Sequence, residues 1–172
     1  MNSKLNKWLI AIGIVTTSAG AIAASDSANL GVGAVVNNVC AIGGGYLDFG
    51  NASILVASGA GTRGANSPLN AAQTVPVICT NGATAQINAD FGLYAAGDIR
   101  RMASGSNRLV YQLYTDNTRT TVLDTTTGAI NYTGIGSNQT VTIYGQILAT
   151  ALAAAPKGDY DDTVSLTITY TP

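Results

Sequence analysis

The chain has 172 residues, a length that suits one domain around one buried core. Only 10% of its residues are charged, Thr occurs 21 times and Ala 26 times, and neither His nor Glu occurs at all. A Ser-His-Asp triad, a Cys-His pair, a zinc protease site and a Glu-based glycosidase pair are therefore excluded within the chain, and a net charge of −1 gives no cause to expect nucleic acid.

The chain opens with an export signal. Lys4 and Lys7 supply a positive start, Trp8 to Val15 an apolar stretch, and Ala21-Ile22-Ala23 a small-residue cleavage site. The apolar run is far shorter than the ~20 residues that a membrane span requires. Residues 1–23 are thus read as a signal peptide, cleaved after Ala23 or one residue later. The remainder carries six basic residues against nine Asp, a charge of −3.

After the polar Ser25-Asp26-Ser27, the residues Leu30, Val32, Ala34 and Val36 alternate with Gly31, Gly33 and Val35, a strand period leading into Cys40. Cys40 and Cys79 are the only cysteines, and an even pair in an exported small domain predicts one disulfide. Closing a 40-residue loop would stabilise the fold by roughly 4 kcal/mol on the chain-entropy account. Two free thiols or a redox pair are the alternatives, but no CxxC and no His is present to lower a thiol pKa.

Gly43-Gly44-Gly45 reads as a turn, Tyr46 to Gly50 as a short strand and residues 57–73 as a long surface connection. Val75 to Cys79 is a strand in which Pro76 suggests an edge or a strand start. Asn81-Gly82 turns the chain into a strand from Ala85 to Phe91, and Leu93 to Arg108 reads as a mobile loop. Further strands are expected over Leu109–Tyr114, Thr120–Asp124 and Val141–Ile147, while Ala149 to Ala155 is read as loop because Pro156 ends any helical turn there. Seven or eight short strands with turns between them describe an all-β sandwich.

Val164, Leu166, Ile168 and Tyr170 alternate strictly with Ser165, Thr167 and Thr169, so the last strand has one apolar face. Asp48, Arg63 and the cluster Arg100, Arg101 and Arg108 read as solvated loop charges rather than a ligand site. Asp159, Asp161 and Asp162 lack the ligand spacing of a Ca²⁺ loop and read as a capped turn. Tyr111 or Tyr114 could meet carbohydrate, although strand aromatics usually pack in a core. No metal, cofactor or catalytic residue is assigned.

Leu109 to Asp116 and the closing Gly158-Asp159-Tyr160-Asp161-Asp162-Thr163-Val164 resemble the spore coat protein U domain family. That family includes subunits of archaic, Csu-type chaperone–usher pili. Its G-x-Y-x-D-[ST]-V pattern matches at Gly158, Tyr160, Asp162, Thr163 and Val164. The resemblance implies an incomplete immunoglobulin-like β-sandwich over residues 38–172, completed by a donor strand from a neighbouring subunit. It assigns residues 24–37 as the donor segment, with Leu30, Val32, Ala34 and Val36 filling pockets of the next subunit. Val164, Leu166, Ile168 and Tyr170 become the strand beside the acceptor groove. The implied partners are neighbouring pilus subunits, a periplasmic chaperone and an outer-membrane usher, and the implied destination is the cell surface.

Two other classes compete with a pilus subunit. A non-polymerising secreted or spore-coat β-sandwich would pair Leu30 to Val36 within its own domain. A hydrolase using Asp alone would need two D-[ST]-G-like loops, and none of the nine Asp stands in one.

Overall fold

The computed structural model describes residues 25–52 and 67–172. The expected signal peptide, Arg63 and residues 57–66 of the expected connection lie outside the described residues, whereas 69–73 are not a surface connection but part of a strand, Leu69–Cys79, in which Leu69 is buried. Residues Val36–Pro172 form one compact unit, and the chain up to Val35 forms another. Among the described residues of the latter, 25–35 carry no regular secondary structure and are exposed.

The compact unit is a β-sandwich. Its larger sheet joins β1 (Cys40–Ile42), β2 (Leu69–Cys79), β8 (Gln139–Ile147) and β6 (Gln112–Tyr114) in the order β1-β2-β8-β6. Its smaller sheet joins β7 (Ile130–Thr133), β3 (Thr84–Ala89) and β9 (Leu166–Tyr170) in the order β7-β3-β9. Every pairing is antiparallel, and β2 and β8 run together over nine residue pairs from Leu69↔Ile147 to Val77↔Gln139.

The alternation of small apolar and polar residues builds both inner faces. Along β2, Leu69, Val75, Val77 and Cys79 are buried while Asn70, Thr74, Pro76 and Ile78 are exposed. Two core clusters result. The first holds Leu69, Val75, Leu113, Leu123, Ile143 and Ile147, with Leu166 packed against it. The second holds Val77, Cys79, Ala85 and Ile87, with Ile168 and Tyr170 against it. Ile87, Leu123 and Val77 are almost wholly removed from solvent, which at ~1.5–3 kcal/mol per large side chain makes these clusters the main source of stability.

Several local expectations change. Leu93 to Arg108 is not all loop: β4 (Arg101–Ser104) and β5 (Asn107–Val110) form a hairpin. Gly105, at φ 58°, takes the first central place of its two-residue turn, a site that favours Gly. The run from Leu109 to Tyr114 divides into β5 and β6 at the buried Tyr111, because the ladder partner changes there from β4 to β8. Ala149–Ala154 forms a short helix, α1, instead of a loop. Ala is the best helix former and Pro156 lies beyond the helix end, where it breaks no hydrogen bond.

Tyr46 to Gly50 forms no strand, and Thr120–Asp124 makes only an isolated bridge between Val122 and Tyr114. The period of Leu30 to Val36 likewise yields no strand, since a single strand without a ladder partner is not stable in water. Pro76 sits inside a central strand, yet it removes no bond to β8. Its carbonyl accepts from the Gly43 amide at 2.8 Å, so its backbone polar edge faces the side where β1 has already ended.

Candidate functional site

The last strand borders the candidate site. The Asp90 amide donates to the Ser165 carbonyl at 3.0 Å, and the Ser165 amide donates to the Asp90 carboxylate at 2.9 Å. In an antiparallel ladder this pair turns the backbone groups of Ser165, Thr167 and Thr169 toward β3. Those of Leu166, Ile168 and Tyr170 then face the opposite edge, where no backbone partner is found among the described residues. Their side chains point inward, while Thr167 and Thr169 are exposed.

At the Leu166 end of this edge lies a groove of about 900 Å³ that is mostly apolar, with Asp48, Gln73, Lys157 and Asp159 also in its lining. Leu69 and Val75 from β2, Ile143 and Ile147 from β8, Met102 and Leu109 from the hairpin, and Leu152 from α1 line it. Leu47 and Phe49 cover one side and are half-buried. They fit because Gly145 lacks a side chain, since a Cβ there would lie 2.7 Å from the Phe49 ring. Phe49 meets Tyr111 edge-on at 6.3 Å.

Of the four residues expected to border an acceptor groove, the structure places Val164 and Leu166 in its wall. Ile168 and Tyr170 instead pack on the second core cluster, at the opposite end of β9. The candidate donor residues are open to solvent: Leu30 is 88% exposed, Val32 89% and Val36 81%, and Ala34 is exposed as well. Cys40 and Cys79 form the expected disulfide, between directly opposed residues of β1 and β2.

The motif residues act as a latch that sets the approach to β9. Asp162 accepts from the Tyr111 hydroxyl at 2.6 Å and from the Leu93 and Thr163 amides, both at 2.9 Å. Burial, reinforced by the Asp162 hydrogen bond, pushes the Tyr111 phenol well above its ordinary range, so it stays a donor. Gly92, at φ 83°, must be glycine, because a Cβ there would lie 2.1 Å from the Asp162 carboxylate. Gly158 passes so near Ser104 that a Cβ would lie 2.4 Å from its hydroxyl. Tyr160 donates to the Pro156 carbonyl at 2.8 Å, and Asp161 pairs through its backbone with Ala103. The expected capped turn thus rests on Asp162 alone among the three acids.

Arg100 corrects the reading of a solvated basic cluster. It is fully buried and donates to the carbonyls of Ala89, Asp90 and Leu123 and to the Gln112 side chain. Its guanidinium also lies 5.2 Å from the Phe91 ring centre, a cation–π contact. Burial lowers its pKa, and the nearby Tyr111, Asp124 and Asp90 oppose that shift. Arg101 is half-buried and donates to the carbonyls of Tyr94 and Ala95, while Arg108 and Asp48 are exposed as expected. Neither the burial of Arg100 nor the close approach of Gly92 to Asp162 carries a sequence signal, because the Gly and Asp residues around them have the composition of an ordinary loop.

These features agree with comparison to known proteins. The Spore Coat Protein U domain model matches residues 26–167. The chain belongs to this family. It is 34% identical to Protein U of Myxococcus xanthus over 185 residues, covering 96% of this chain and all of that protein. Its fold resembles a chain in the crystal structure of the CsuC–CsuE chaperone–tip adhesion subunit pre-assembly complex from archaic chaperone–usher Csu pili of Acinetobacter baumannii. That match has a TM-score of 0.54 and 19% identity, and covers 77% of this chain. It spans 40% of the solved chain, less than half of it. The spore coat protein U domain here is accordingly an all-β, immunoglobulin-like sandwich.

Proposed function

We propose that this chain is a structural subunit of a surface pilus, assembled through a chaperone–usher pathway by donor-strand complementation, and that it supports adhesion and biofilm formation. The observation that carries this reading is the edge of β9, unpaired among the described residues, beside a mostly apolar groove of about 900 Å³. An edge of this kind offers main-chain hydrogen bonds to a guest strand, and the groove offers pockets for alternate side chains. The segment Leu30, Val32, Ala34 and Val36 of another copy has the matching period. Burying its three larger side chains would contribute roughly 4–9 kcal/mol before ordering costs.

Head-to-tail pairing of this type does not close on itself and therefore grows a filament. Before assembly, the apolar edge invites aggregation, which is the physical reason for a periplasmic chaperone as first partner. An outer-membrane usher would then pass the subunit to its neighbour at the cell surface. No step in this process requires a catalytic residue, and the chain is read as a non-enzyme.

The test expresses the protein with its export signal, with and without a candidate chaperone, beside a variant lacking residues 24–36. Heat-resistant ladders from the full chain, with a monomeric truncation, are expected. Stable monomers from both, with no need of a chaperone, would favour the second reading, a non-polymerising secreted or spore-coat protein. The full-length similarity to Protein U keeps that reading in view.

A further inference from the structure

The root of the N-terminal arm is fastened far more heavily than its length requires. Within the four residues Asn37 to Cys40, five distinct ties reach the rest of the compact unit. The Thr80 hydroxyl donates to the Asn37 carbonyl and accepts from the Val39 amide, both at 3.1 Å. The Thr80 amide donates to the Val39 carbonyl at 2.9 Å. Asn38 donates to the Thr171 carbonyl at 3.0 Å, just beyond the end of β9. The fifth tie is covalent, the Cys40–Cys79 disulfide.

The chain beyond the root is weakly held by contrast. Strand β1 is three residues long and pairs only with Val77 to Cys79. Among the described residues from Gly44 to Ala52, no backbone–backbone hydrogen bond is formed, and Leu47 and Phe49 hold by side-chain packing alone. Without the disulfide, a pull on the arm would meet, among the described residues, the hydrogen bonds of the root and the short β1 ladder before reaching β2. Strand β2 is different, being 11 residues long and paired with β8 over nine.

We infer that the Cys40–Cys79 disulfide is a mechanical staple, which passes tension on the N-terminal arm directly to Cys79 at the end of β2 and takes β1 and the chain from Ala41 to Ile78 out of the load path. The role rests on the reading that the arm links one subunit to the next. It differs from simple stabilisation by loop closure, because its effect depends on where force enters. Tension delivered at Cys40 crosses to Cys79 over a Cα separation of 4.1 Å, bypassing the 39-residue sequence separation between them.

The bypassed length makes the staple measurable on a single chain, without any polymer. One handle is placed on a peptide tag ahead of Ser25 and the other on Lys157, the sole lysine after the signal peptide. The oxidised chain is expected to extend with no early step. The Cys40→Ser/Cys79→Ser variant is expected to show an added step of about 100 Å of contour length, at ~3.5 Å per residue freed between Cys40 and the start of β2 at Leu69, at a force below that of the main unfolding event. Should the variant not fold, the folded native chain is held under load and reductant is added, with the same step expected. A Thr80→Val variant that keeps the disulfide is expected to show no added step. Loss of the disulfide without a separate early step would overturn the inference, as would an early step of that length in the oxidised chain. Failure of the ladder test above, with the force result intact, would instead remove the pilus reading and leave the staple in place.

Discussion

The surroundings of Arg100 and the groove beside β9 solve opposite problems within one sandwich. Around Arg100, three carbonyls and one amide side chain accept from a single buried guanidinium. Among the described residues, no buried side-chain polar atom lacks a partner. Around Val164 and Leu166, by contrast, a mostly apolar groove stays open, close to a strand edge with no backbone partner among the described residues. The difference is one of energetics. A buried polar group without a partner costs about 1–3 kcal/mol at once, so it has to be satisfied within the chain. Apolar surface left uncovered costs in proportion to its area, about 25 cal/mol per Å², and that cost can be deferred to a partner.

Breaking the polar side is expected to have the largest effect. Arg100→Met strips a donor from the Ala89, Asp90 and Leu123 carbonyls, at about 1 kcal/mol or more for each. A loss of about 3 kcal/mol or more is expected in denaturant unfolding of the monomer lacking residues 24–36. A change under ~1 kcal/mol would mean that the carbonyls find water instead.

Breaking the apolar side is expected to separate assembly from stability. Val32 is 89% exposed, so Val32→Asp is expected to shift monomer stability by no more than ~0.5 kcal/mol. A charge at a donor position faces an apolar groove, and the heat-resistant ladders are expected to vanish. Ladders that persist in this variant would remove Val32 from the donor register.

The smallest expected effect concerns pH. With neither His nor Glu, almost no side chain of ordinary pKa titrates between pH 5 and 8, so unfolding midpoints should be flat across that range. The acid limb is carried by Asp. Burial opposes ionisation of Asp124, but hydrogen bonds from Thr127, Thr126 and Gly128 outweigh it and hold the carboxyl well below its ordinary range. Asp116 is held low by the Thr118 hydroxyl, then by the amides of Thr121 and Thr120. A depressed folded pKa means that the stabilisation is complete above the unfolded carboxylate range and fades as pH falls through the folded value. Loss of stability is therefore expected only below about pH 4, and Asp124→Asn should flatten that limb in a pH series of unfolding midpoints.

Much of the sandwich was legible along the chain because period and burial coincide there. Strands β3, β8, β9 and the second half of β2 each carry inward residues at every second position and could be read directly, whereas Leu69 to Gln73, set among small and polar residues, read as a connection. The disulfide could be read too, since only two cysteines exist. Strand β7 was not, because Ile130 to Thr133 is short and set among turn-forming residues. The β4–β5 hairpin was hidden in the same way, its arms of four residues interrupted by Arg, Ser and Asn.

The site divides along the same line. Local alternation marks Val164, Leu166, Ile168 and Tyr170 as one apolar face, whatever they pack against. Which of them meets the groove depends on how two sheets and a hairpin close over β9, and that sends Val164 and Leu166 to the groove and Ile168 and Tyr170 to a core cluster. Likewise, an Arg among Gly and Asp reads as solvated until the carbonyls of Ala89, Asp90 and Leu123 converge on it. Alternation is a property of neighbours in the chain, whereas burial of a charge is set by groups up to 23 residues away that meet only in the folded molecule.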